Sequence, residues 1–336
     1  MTHNSSSRNI TIDLLRGIAM IFMILIHTTY YFISNDKIAL FLWHWSQFAV
    51  PIFVFCSGYV FFLKPQRIHE EGLRNYMWKR VKRLVIPYYI FLIFFFPIIW
   101  FTTDKLTPMY ILRSLFIIGG VDISWLVLLM LELSLLFPLL ILLQRKKNIL
   151  FLSYIALATL VAIITIPLPL SALHWKLGIE NWKLIMWLGW SLMGIFSMVY
   201  INVSSLQKFL QNKLMLFIGA TIVSIITYIY ERSIHHDITL YGNKYPPTLL
   251  ILSFGVAAIV LLYILAEKQC FKPIQKLLIF TSTHSYSLFF IHYCFLIALA
   301  NLLPKLHTTW YFFFASVLGA ALLVQYLWNR LKPLLT

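Results

Sequence analysis

Long apolar runs recur along nearly the whole chain, separated by short polar or basic stretches. Each run is roughly 18 to 25 residues, enough to cross about 30 Å of hydrocarbon as a helix. A transmembrane barrel would instead show short segments of alternating polarity. The pattern predicts an all-α polytopic membrane protein of about ten transmembrane helices. The expected spans are Ile10–Phe32, Ile38–Leu63, Leu84–Phe101, Trp125–Leu143, Ile149–Ile166, Lys183–Ile201 and Leu214–Tyr230. An eighth is headed by Pro246 and Pro247 and reaches Ala266, followed by Leu277–Leu299 and Thr309–Asn329. Pro51, in the middle of the second run, predicts a kink there, and Ser57 with Gly58 allow close helix approach. Met109–Ile118 reads as a short interfacial helix, and Pro167 with Pro169 as a turn. The first run exceeds a usual signal core and is followed by no small-residue cleavage site, so it is expected to be retained. With no internal repeat, linker or soluble stretch, residues 1–336 are expected to form a single transmembrane domain.

Composition sharpens this reading. Of 336 residues, 61% are hydrophobic and only 11% charged, with a mean hydropathy of +0.84, too little polar surface to cover a water-soluble globule. The formal charge of +16 invites a nucleic-acid partner, but the basic residues sort by side of the membrane and form no binding surface. One set of connecting segments collects Arg8, Lys64, Arg67, Arg74, Lys79, Arg80, Lys82 and Arg83, then Arg145, Lys146 and Lys147. The same set continues with Lys208, Lys213, Lys268, Lys272, Lys276, Arg330 and Lys332, against only Glu70, Glu71 and Glu267. The positive-inside rule then puts both termini in the cytoplasm of a cell membrane. Cys56, Cys270 and Cys294 offer no disulfide framework.

Several polar residues interrupt the apolar runs, and these carry the candidate chemistry. On the first helix Asp13, Arg16, Met20 and His27 fall in one narrow stripe, with Arg16 and His27 about 16 Å apart along the axis. Charged groups at membrane depth face protein or a water-filled cavity and commonly mark a substrate or proton path. Asp13 can pair with Arg16, and a neutral His27 can take a proton from a hydroxyl. A core histidine bonded to a neighbouring helix satisfies the same spacing. Arg80 and Arg83, at (i, i+3), make a two-pronged cationic clamp suited to phosphate; a topology signal or an anionic-lipid contact would look the same. Ser285 and His292 share a face of the ninth run, Glu132 is a buried acid of the fourth, and Trp125 at its outer end matches an interfacial anchor. His235, His236 and Asp237 lack the spacing of a metal site, so no metal is expected.

Together these pieces resemble the acyltransferase 3 family of integral membrane enzymes. The likeness rests on IDLLRGIAMIFMILIH, where Arg16 and His27 match the family's Arg and His with ten residues between them, and on PIFVFCSGY. It continues in Arg80-Val-Lys-Arg83 before LVIPYY, matching Arg-x-x-Arg, and in Ser285-Tyr-Ser-Leu-Phe-Phe-Ile-His292. Phe289 and Phe290 stand where the family commonly has Tyr, and Trp125-Leu126 where it has an aromatic pair. The resemblance implies transfer of an acyl group, acetyl first and succinyl second, from cytoplasmic acyl-CoA to a hydroxyl of an envelope or exported glycan or glycolipid. It implies His27, Arg16 and Asp13 as catalytic residues and Arg80 with Arg83 on the coenzyme phosphates. Ser285, His292, Glu132 and Trp125 are then substrate-pocket candidates. Bare physics also allows a transporter of an anionic or glycan substrate, although matched broken helices of an inverted repeat are not evident.

Overall fold

The computed structural model describes residues 9–63, 70–146, 148–164, 182–202, 212–303 and 308–335. Within them the helices are α1 Ile10–Thr29, α2 Lys37–Trp45, α3 Ala49–Leu63, α4 Leu73–Thr102, α5 Pro108–Leu115, α6 Ser124–Lys146 and α7 Asn148–Ile164. The order continues with α8 Trp182–Asn202, α9 Lys213–Ser233, α10 Leu249–Glu267, α11 Gln275–Thr283, α12 Ser285–Leu302 and α13 Trp310–Leu335. No strand occurs among the described residues. Among the described residues, eight helical segments are long and apolar enough to cross a membrane, and Asn148–Ile163 and Met186–Ile201 are shorter apolar helices. The expected polytopic all-α class is therefore present. The Pro167–Pro169 turn and the basic residues Arg8, Lys64, Arg67, Lys147 and Lys208 lie outside the described residues.

Three boundaries differ from the expected spans. The second span breaks at a 3-10 turn, Ser46–Phe48, and not at Pro51. Pro51 lies in the first turn of α3, where a missing N–H costs nothing because first-turn N–H groups have no intrahelical acceptor. The third span does not start at Leu84: α4 begins at Leu73, so Arg80 and Arg83 ride on the same continuous helix that enters the bundle. The ninth run is two helices broken at His284. Its polar series Thr281 to Ser287 explains this, since Thr281, Thr283 and Ser287 hydroxyls bond back to the carbonyls of Leu278, Ile279 and His284 and compete with the helical ladder.

Helix α1 is the centre of the bundle, in contact with α2, α3, α10, α11, α12 and α13. Asn9 starts it by accepting a bond from the Ile12 amide at 3.3 Å. Small residues set the closeness of its neighbours. A Cβ on Gly17 would fall 2.2 Å from the Leu278 carbonyl oxygen, so α1 and α11 approach backbone to backbone there. Gly58 of α3 likewise faces Gly194 and Ser197 of α8, the close approach expected of it. The outward faces of α4 and α9 are apolar, including Ile93, Phe94, Trp100, Ile222, Ile226 and Ile229, as lipid contact requires.

Candidate active site

His27 sits in the last turn of α1, at the mouth of the bundle where Thr28 and Thr29 close the helix by bonding to the carbonyls of Ile24 and Leu25. It lines a cavity of about 730 Å³, roofed by α5, the Phe116–Ile123 segment and the loop before α10. That volume lies in the range of small-molecule sites. Tyr30, Trp43, Trp125, Tyr241, Tyr245 and Tyr293 give it an aromatic wall, and Asp122, Arg113 and Lys244 supply charge. Among the described residues, no protein group hydrogen-bonds the His27 ring. Its nitrogens are therefore available to whatever enters.

Behind His27 stands His292 of α12, its ring centroid 5.4 Å away. His292 is fully buried, with Nδ1 3.0 Å from the Leu288 carbonyl. A carbonyl only accepts, so Nδ1 carries the proton and Nε2 is left as an acceptor, for which the described residues offer no donor. Tyr293 meets His27 edge-on at 5.8 Å and donates its hydroxyl to Asp122 at 3.2 Å. The second intramembrane histidine expected from the sequence is thus brought against the first.

Lys244 is the residue that sequence reasoning missed. It is 4% exposed, and Nζ donates to Gln47 Oε1 at 2.8 Å, while the Gln47 amide donates in turn to the Trp43 carbonyl. The rings of Tyr241, Tyr245 and Trp125 surround Nζ at 5.0 to 5.8 Å. Burial pulls its amine down to about 7 from the ordinary lysine range. The signal was present in Tyr241-Gly-Asn-Lys-Tyr245, a lysine between aromatics in a loop. Nothing local says that such a lysine is buried. Trp125, expected as an interfacial anchor, packs edge-on against Tyr245 at 4.9 Å and walls the cavity.

The remaining candidates lie elsewhere. Asp13 is buried, and its Oδ1 accepts from Ser282 Oγ at 3.1 Å, tying α1 to α11. Arg80 turns into the bundle, donating from Nε to Ser134 Oγ and from Nη2 to Ser57 Oγ, each at 3.2 Å. Arg83 is exposed, and Arg16 is half-buried. Glu132 is half-buried with no partner for Oε2 among the described residues. Ser285 opens α12. None of these six lines the cavity. On the stripe between Arg16 and His27, Met20 is fully buried and Met23 closes the cavity floor.

Comparison with curated proteins and with solved structures gives no match. A family model described as an acyltransferase domain matches residues 9–328, nearly the whole chain. The match takes in the α1 stripe, the Arg80 segment and the α12 histidine together. A helical membrane bundle with a histidine lining an aromatic cavity agrees with it, and the chain belongs to the acyltransferase 3 family.

Proposed function

We propose that this membrane acyltransferase takes its acyl group from a cytoplasmic coenzyme A thioester and delivers it to a hydroxyl of a glycan or glycolipid held in the His27 cavity. The observation that carries this reading is the His27 ring, which no described residue hydrogen-bonds, in a cavity large enough for a sugar. His27 takes the proton of the acceptor hydroxyl as its oxygen attacks the thioester carbonyl. The tetrahedral intermediate collapses with cleavage of the carbon–sulfur bond, and the departing thiolate takes a proton to leave as coenzyme A thiol. Acetyl is the first choice of acyl group, succinyl the second.

Arg80 and Arg83, on the opposite reach of the bundle, hold the coenzyme phosphates. Guanidinium groups suit phosphate because they present paired N–H donors in a fixed plane. Arg16, with Asp13 beside it, steadies the donor along the α1 stripe. Met20 and Met23 fill that stripe in the present packing. The acyl arm reaches His27 by displacing them, which unbranched thioether side chains allow at low cost. With the cavity on the outer side, a cytoplasmic donor serves an external acceptor of a plasma-membrane enzyme.

The test is thioester turnover by the full-length protein in lipid nanodiscs, with labelled acetyl or succinyl coenzyme A and glycan acceptors. The wild type releases free thiol in step with acceptor labelling, and His27→Ala does not. Undiminished transfer by His27→Ala removes His27 from the reaction.

A further inference from the structure

The cavity holds a cation that the transfer chemistry does not use. Lys244 lies outside the motifs of the α1 stripe, the Arg80 segment and α12, yet its side chain is almost wholly buried at the cavity wall. An ammonium has three N–H donors, and the described residues provide Nζ with a single acceptor, Gln47 Oε1. No carboxylate lies within ion-pair distance of it among the described residues. Asp122, the acid of the cavity, is engaged by the Tyr293 hydroxyl. Burial without an anion disfavours the ammonium, and an anion that arrives with the ligand restores and stabilises it.

The loop is built to hold this amine still. Asn243 Nδ2 donates to the carbonyls of Asp237 and Thr239, the Thr239 amide bonds Asp237 Oδ1, and the Gly242 amide bonds Thr239 Oγ1. The Thr248 hydroxyl donates to Asn243 Oδ1 and lies 3.3 Å from Glu231 Oε1, closing the loop onto α9. Lys244 and the three rings around its Nζ all line the cavity, and the rings offer flat apolar faces to a sugar ring.

We propose that Lys244 is an anion-recognition site for the acceptor, whose reacting sugar carries a carboxylate or a phosphate that pairs with the amine while its hydroxyl faces His27. This rests on the acyl-transfer reading for the role of the ligand, but not for its binding.

The test therefore measures binding first, on the full-length protein in nanodiscs, by calorimetry with methyl glucoside, methyl glucuronide and glucose 1-phosphate. At least one anionic sugar binds the wild type about tenfold or more tightly than methyl glucoside. That preference collapses in Lys244→Gln and is partly kept in Lys244→Arg. The better of the two anionic probes identifies a uronate-type or a phosphate-bearing acceptor. Equal affinity for neutral and anionic sugars in the wild type, or a preference that survives in Lys244→Gln, overturns the proposal. Should the variants fail to fold, equal affinity of the wild type for neutral and anionic sugars still overturns the proposal. Thiol release with the same sugars is read separately: anion-selective binding without thiol release refutes the enzymatic reading and leaves the anion site standing.

Discussion

The rings of His27 and His292 lie 5.4 Å apart, centroid to centroid and tilted by 39°, although the two residues belong to different helices near opposite ends of the chain. Only one of them meets the cavity, and the other is locked by its bond to Leu288. The arrangement separates a reacting ring from a ring that shapes its surroundings. His27→Ala is expected to lose transfer by about 10²- to 10⁴-fold, the range for loss of a general base. Acceptor-dependent thiol release in nanodiscs measures it.

His292→Phe keeps a ring behind His27 but removes the Nε2 acceptor. No described donor meets Nε2 at rest, so the expected loss of about tenfold in kcat, with little change in KM, reports a bond that Nε2 accepts only during the reaction. A Phe variant with wild-type kcat would assign His292 to packing alone.

Arg80 is held by two serine hydroxyls on α3 and α6, which occupy two of its N–H donors without cancelling its charge. Arg80→Ala is expected to raise KM for the acyl donor by about 10- to 100-fold, as loss of a charge-assisted contact does. Arg80→Lys should recover part of this, because a point charge replaces a planar fork. An unchanged donor KM in Arg80→Ala would take the phosphates elsewhere.

Gly17 has no room for a side chain against Leu278 and Thr281. Because the closest atom is a backbone oxygen, relief requires α1 and α11 to separate. Gly17→Ala should destabilise the protein by about 1–3 kcal/mol, the usual cost of overpacking. Thermal unfolding in detergent reads it, and an unaltered midpoint would mean that α11 yields freely.

Burial sets the Lys244 amine to about 7, and His27, Arg113, Asp122, Tyr30, Tyr241, Tyr245 and Tyr293 are the titratable and charged groups that line the cavity around it. Only the ammonium pairs with an anion, and a bound anion raises the amine's pKa in return. Affinity for methyl glucuronide, whose carboxylate stays ionised throughout, should hold below about pH 7 and fall by up to about tenfold per unit above it. Calorimetry between pH 6 and 9 follows the decline, which Lys244→Gln should abolish.

Much of the architecture was legible along the chain because a bilayer imposes one requirement on every span, internal satisfaction of the backbone. Runs such as Ile10–Phe32 announce helices for that reason alone. Breaks inside runs were less legible. Pro51 looked like the kink, yet a proline in a first turn is neutral, and hydroxyl side chains near His284 ended a helix that hydropathy reads as continuous. The stripe of α1 was expected to face protein or a cavity because helical periodicity fixes which residues share a face, and α1 packs against α2, α3, α10, α11, α12 and α13.

Composition and periodicity alone established a helical membrane protein with buried charges on its first helix, and the order of its motifs pointed to acyl transfer. Which of those charges meet one another was decided by packing between helices distant in the chain. His292 reached His27 through the α1–α12 contact, and Lys244 became buried only when its loop folded over Trp43, Gln47 and Trp125. Contacts of this kind depend on the shape of the partner surface. No local pattern of residues encodes that shape, so the cavity and its cation emerged only with the assembled bundle.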